Sequence, residues 1–155
     1  MELNLNFKKL GDHSPILELA EYAREQIRLR PNTKIYVGSD SQNSPSVTTL
    51  ATVIVFHYDG RNGAHVVYRS LKLKKIRDSF SRLWLEVTSS VEIAQFLRDE
   101  GLKIEFVDLD LNADPKWQSN TVLRSALGYV ESLGFEPRWK PNQPFSTRVA
   151  DTLCR

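Results

Sequence analysis

Five acidic side chains define the chemistry this chain is equipped for. Asp40 ends the apolar run Ile35-Tyr36-Val37-Gly38-Ser39-Asp40, and Glu86 lies inside a long stretch of helical periodicity. Asp108 and Asp110 alternate in Phe106-Val107-Asp108-Leu109-Asp110, and Asp151 lies near the end of the sequence. Each has an ordinary alternative. Asp before a loop is a common turn former, an acid near a C-terminus is usually solvated, and Asp-x-Asp recurs often by chance. Taken together they form a set of oxygen donors, which hard divalent ions prefer to a His/Cys array. Two Mg2+ or Mn2+ ions roughly 3.5–4 Å apart can activate a water, neutralise a phosphate and stabilise a leaving oxygen. Those are the requirements of phosphodiester hydrolysis.

Positioning these acids requires a sheet and a helix. Ser14-Pro15 reads as the cap and first position of an amphipathic helix that stops before Pro31. Lys34 to Asp40 is a first strand, Val47 to Tyr58 a second, Asp59 to Gly63 a hairpin loop and His65 to Lys75 a third. Helical spacing then runs through Phe80, Leu83, Trp84, Val87, Val91 and Ala94 to a stop at Gly101. Leu102 to Leu109 is a fourth strand, Asp114-Pro115 opens a helix ending at Gly134, and Phe135 to Lys140 is a fifth strand. After Pro141-Asn142-Gln143-Pro144 a last short helix runs from near Ser146 towards Cys154.

Short loops make the first three strands an antiparallel meander, and helical crossovers set the fourth and fifth parallel to the first. The expected fold class is therefore α/β. It is a mixed five-stranded sheet in the order 3-2-1-4-5, with strand 2 antiparallel, flanked by helices. The C-terminal ends of strands one and four then adjoin, where open α/β sheets bind ligands. Alternation points Asp108 and Asp110 to one face. At about 100° per residue, Glu86 shares a helix row with Leu83, Ser90, Ile93 and Leu97, so it interrupts an apolar flank. A carboxylate held against a sheet needs compensation, and a metal supplies it.

At 155 residues, with 41% hydrophobic and 26% charged, the chain suits a single domain over 1–155, with 1–33 an N-terminal extension and helix. The lone Cys154 excludes an intramolecular disulfide and gives no sign of a Cys-based zinc site; it reads as a terminal thiol without a role. No apolar run approaches ~18 residues, and the amino terminus lacks a basic region followed by an apolar one. The expectation is a cytoplasmic protein with no membrane partner; its oligomeric state is not legible.

The net charge of +2 does not announce a nucleic-acid partner, but its distribution is uneven. Arg69, Lys72, Lys74, Lys75, Arg77 and Arg82 face only Asp78 in their segment. They suit backbone phosphates, or equally the lysine protection of an ordinary edge strand. Lys140 and Arg148 lie nearer the acids in sequence order and suit the scissile phosphate, or a salt bridge within the cluster. Trp84 and Trp117 read as packing groups and Trp139 as the better stacking candidate. His13, His57 and His65 show no helical pairing and receive no role.

The stretches Val37-Gly38-Ser39-Asp40-Ser41-Gln42, Leu83 to Glu86 with Ser90, Asp110 and the loop after it, Lys140-Pro141 and Val149-Ala150-Asp151 together resemble the YkuK-like family. That family is a bacterial branch of the ribonuclease H-like superfamily, and the likeness spans the chain from about Arg30 onward. The resemblance implies a metal-dependent nuclease acting on RNA, DNA or a hybrid, with two Mg2+ or Mn2+ ions. Asp40, Glu86, Asp110 and Asp151 would be its catalytic ligands, with Asp40 bridging the ions. Asp108 stands where the family more often has His, so it is either a neighbour of the ligands or a ligand in shifted register. Lys72, Lys74, Lys140 and Arg148 are the expected substrate contacts. The rival reading is an inactive nucleic-acid- or protein-binding module on the same fold. An actin-like nucleotide hydrolase is disfavoured, because no Gly-rich phosphate cradle is present.

Overall fold

The computed structural model describes residues 2–59, 63–112, 116, 120–140 and 145–154. Its elements are β1 (Lys8–Lys9), α1 (Leu19–Leu29), β2 (Lys34–Asn43), β3 (Val47–His57), β4 (Ala64–Lys74), α2 (Ser79–Asp99), β5 (Phe106–Asn112), α3 (Asn120–Ser132), β6 (Pro137–Lys140) and α4 (Phe145–Cys154). The expected helix opening at Asp114-Pro115, Trp117, the hairpin tip at Gly60–Asn62 and the loop at 141–144 lie outside the described residues.

The sheet is mixed, as expected, but has six strands rather than five, in the order β1-β4-β3-β2-β5-β6. The difference lies at one edge, where β1 pairs antiparallel with β4 through Lys8 opposite Tyr68 and Lys9 opposite Val67. Its cause is local. The Lys9 N–H donates to the Ser14 carbonyl and the Ile16 N–H to the Phe7 carbonyl, both at 2.9 Å. Residues 7–16 thus fold back on themselves, with His13 at φ 59 in the turn. The same hairpin displaces the helix start expected at Ser14-Pro15, since those backbone groups are already paired. α1 begins at Leu19 instead, after Glu18, which makes no side-chain cap bond.

β3 runs antiparallel to β2 and β4, while β5 runs parallel to β2 and β6 parallel to β5. β5 is shifted C-terminally from the expected 102–109. Leu102 closes the end of α2 by donating its N–H to the Leu97 carbonyl, and the Glu105 N–H reaches the Ile35 carbonyl at 2.8 Å. Pairing with β2 therefore starts at Phe106. The shift carries Asp110 into the strand rather than the following loop.

Side-chain alternation divides the core in two. Ile35, Val37, Ile54, Phe56 and Val107 pack with α1, α2 and α3, through residues such as Ala23, Val91 and Val130. Tyr36, Ala51, Val53, Val55 and Val66 meet Ala150 and Cys154 of α4 on the opposite face. Each fully buried valine or isoleucine among them contributes about 1.5–3 kcal/mol. α2 is capped by Asp78, whose carboxylate accepts the Ser81 N–H at 2.9 Å. Phe80 departs from its expected place in the apolar stripe. It is 53% exposed and lies against Trp84 with the two rings tilted by 57°, and Trp84 meets Tyr129 of α3 edge-on. Among the described residues no helix is long and apolar enough to cross a membrane.

Candidate active site

β2 delivers residues to both faces of the sheet at its C-terminal end. Asp40 and Gln42 point to the α4 side, whereas Ser39 and Ser41 point towards α2. Asp40 is 6% exposed, and its carboxylate accepts the Ser41 N–H at 2.8 Å. Burial, reinforced by the charge of Asp110, pushes its carboxyl up to about 8; the Ser41 N–H opposes the rise, and a hydrogen bond and charge from Asp151 add to it.

Glu86 comes from α2 on the other face and is equally buried. The Ser41 hydroxyl donates to its Oε2 at 2.5 Å, and Arg82 donates to the Ser41 carbonyl at 3.1 Å. Burial first, then Asp40, hold the Glu86 carboxyl well above the usual carboxylate range. Helix and sheet approach closely there because small hydroxyl residues line the boundary. Ser90 donates to Ser39 at 2.7 Å, Ser39 to Thr52 at 3.0 Å, and Thr52 lies 2.8 Å from Ser89. Ser90, Ile93 and Leu97, which share the Glu86 row, are all buried with it.

Asp110 reaches the same corner from β5. It lies 2.5 Å from the Lys140 ammonium of β6 and acts on both Asp40 and Glu86. Asp108, two residues earlier on the same face, has other partners. It is 1% exposed, holds Arg138 through two bonds of 2.8 Å, and accepts the Ser146 hydroxyl from α4. The Arg138 guanidinium packs over the rings of Tyr36 and Phe106.

Asp151 arrives on α4. Gln42 donates to its Oδ1 at 2.9 Å, and Cys154, one turn on, donates its thiol to the Asp40 carbonyl at 3.0 Å. Cys154, expected to be a terminal thiol without a role, is buried, and burial pushes it up to about 12. Gly38 makes this docking possible. A Cβ there would lie 2.7 Å from the Cβ of Ser146, inside contact distance.

Four acids far apart in the sequence thus meet at one corner, where Asp110 and Asp151 act electrostatically on Asp40, and Asp40 and Asp110 on Glu86. A cavity of about 410 Å³ adjoins them, lined by Asp110, Lys140, Thr147, Arg148, Asp151 and Thr152. Lys72 and Lys74 lie farther out, on β4. Lys72 sits opposite Thr49, which sits opposite Gln42, so these three share one row of the α4 face. Arg69, grouped by sequence with the phosphate-binding candidates, is instead 3% exposed. It points to the α2 face, donates to Ser89 at 2.7 Å and to the Asn4 carbonyl at 2.6 Å, and lies over Phe7. Trp139 likewise packs on the main core rather than offering a free ring.

The donor set fits a hard divalent cation in kind: Asp and Glu oxygens, two of them buried, whose mutual repulsion a cation would relieve. Among the described residues no three His, Cys, Asp or Glu side chains are already spaced as a ligand cage. Ser41, Lys140 and Gln42 each engage one of these acids, Glu86, Asp110 and Asp151 respectively. Sequence reasoning gave no separate role to Ser41, Gln42, Arg138 or Ser146. The first two directly follow Asp40, and that adjacency was the available signal.

A family model described as Ribonuclease H-like matches residues 17–155 of the chain. No curated protein matches it.

Proposed function

The chain belongs to the YkuK-like family of the ribonuclease H-like superfamily, and from that membership we propose that it is a metal-dependent nuclease hydrolysing phosphodiester bonds in RNA, DNA or their hybrid. The observation that carries this reading is the convergence of Asp110 and Asp151 on a buried Asp40 whose carboxyl holds its proton up to about 8. Such an arrangement is unfavourable by itself and favourable around positive charge. Asp40, Glu86, Asp110 and Asp151 would hold two Mg2+ or Mn2+ ions. When bound, the ions supply an activated water and neutralise charge on phosphate.

The remaining groups bind and orient. Lys140 and Arg148 face the cavity beside Asp110 and Asp151, where a scissile phosphate would sit between cations and acids. Ser41 orients Glu86, with Arg82 holding Ser41, and Gln42 orients Asp151. Lys72 and Lys74, on the same face, would contact phosphates farther along the strand.

Two observations favour the rival reading of a non-catalytic nucleic-acid- or protein-binding module: Lys140 already neutralises Asp110, and no closed cage is formed among the described residues. Titration with Mn2+ separates the two. The nuclease reading expects saturable binding that Asp110→Asn weakens more than Asp108→Asn. An absence of binding would leave the module, and a larger loss at Asp108 would overturn the ligand assignment.

A further inference from the structure

We propose that Asp108 and Ser146 form a positioning device that seats α4, and with it Asp151, against the carboxylate corner; the inference rests on the metal-dependent reading above. α4 has ten residues, a length that is marginal for a helix without tertiary support. Asp151 is the one acid of the corner carried by this element, so its placement follows from whatever holds α4 to the sheet.

Two attachments bracket Asp151. At the C-terminal end the Cys154 thiol donates to the Asp40 carbonyl at 3.0 Å. At the N-terminal end the Ser146 hydroxyl donates to Oδ2 of Asp108, and Gly38 leaves Ser146 the space to sit there. The Asp108 carboxylate is well fixed for that task. Arg138 binds its Oδ1 through Nε and its Oδ2 through Nη2, a bidentate pairing that sets the plane of the carboxylate. Arg138 in turn is held over Tyr36 and Phe106, with its guanidinium 4.6 and 4.7 Å from the two ring centres. Both oxygens of Asp108 are therefore engaged by Arg138 and α4. The chain of contacts runs from an aromatic pair through Arg138 and Asp108 to Ser146, and along the helix to Asp151.

Polar groups that orient a metal ligand without touching the ion commonly change affinity by about 10–100-fold when removed. A double-mutant cycle on Mn2+ affinity, with melting temperatures taken on the same proteins, tests the device. S146A is expected to weaken Mn2+ binding at least about 10-fold in the otherwise native chain, yet to leave the affinity of D151N unchanged, because the ligand it positions is already gone. D108N is expected to behave in the same way. The melting temperature should fall equally in both backgrounds, which is all that a purely structural contact would produce. Equal Mn2+ losses with and without Asp151, or no loss from either variant in the native background, would overturn the proposal. A loss from D108N that adds to that of D151N, with S146A neutral, would also overturn it and make Asp108 a ligand. Failure of the native chain to bind Mn2+ would instead remove the reading on which the device rests.

Discussion

The hydroxyl of Ser41 donates to Oε2 of Glu86 at 2.5 Å, joining the end of β2 to α2 one residue beyond the buried Asp40. Removing it leaves a buried carboxyl short of a partner, at a cost of about 1–3 kcal/mol. Ser41→Ala is therefore expected to lower stability in urea unfolding by that amount. It should also raise the Glu86 carboxyl further, because the Ser41 bond, together with the charge of Arg82, opposes the rise. A variant as stable as the native chain would contradict the bond.

Stability should depend on pH with an unusual sign. Asp40 is held at about 8 in the folded protein against an ordinary value of 3.8. Between those values the folded chain keeps a proton that the unfolded chain releases, so stability is complete at the acid end and declines as pH rises towards about 8. Glu86, also raised, acts in the same direction. Melting temperatures without divalent ions should fall across this range, and Asp40→Asn should flatten the decline. Added Mn2+ should oppose it, since the cation replaces the proton. A melting temperature rising with pH in the metal-free native chain, with no change in Asp40→Asn, would refute the assignment.

Gly38→Ala tests the seat of α4. The added methyl would meet Ser146 at 2.7 Å and the Thr147 backbone at 3.2 Å, neither of which is the end of a flexible side chain. Overpacking of this kind costs about 1–3 kcal/mol. The expected result is a lower melting temperature with the secondary structure of the sheet retained by circular dichroism. An unchanged melting temperature would mean that α4 does not sit this close.

Lys72 and Lys74 are exposed, so charge reversal of both should leave melting almost unchanged. Oligonucleotide affinity should nevertheless fall, and the slope of log affinity against log salt should flatten by about 0.7–0.9 for each phosphate no longer neutralised. Unaltered affinity and slope would assign these lysines to protection of the edge of the sheet.

Much of this arrangement was legible from the residues. Turn chemistry and helix periodicity located β2 to β6 and α2, and alternation put Asp108 and Asp110 on one face. Glu86 stood out because an acid interrupted an otherwise apolar row. What escaped detection depended on long-range pairing. The edge strand Lys8–Lys9 has only two residues and exists because residues 7–16 fold back, which periodicity cannot register. Arg69 sits at an odd position of β4, on the α2 face, while Lys72 and Lys74 sit at even ones; a reading by charge alone grouped them. The different fates of Asp108 and Asp110 are set by Arg138, Ser146 and Lys140, all on elements that follow α3.

The central claim is that the acids around Asp40 serve metal-dependent cleavage. End-labelled RNA, DNA and hybrid oligonucleotides incubated with the native chain and with Asp40→Asn, in Mg2+ or Mn2+ and again with chelator, test it most directly. The account expects cleavage by the native chain in the divalent ion alone, and none from Asp40→Asn under any condition. Equal cleavage by both proteins would trace the activity to a contaminant, and no cleavage of any substrate by the native chain in either ion would contradict the account.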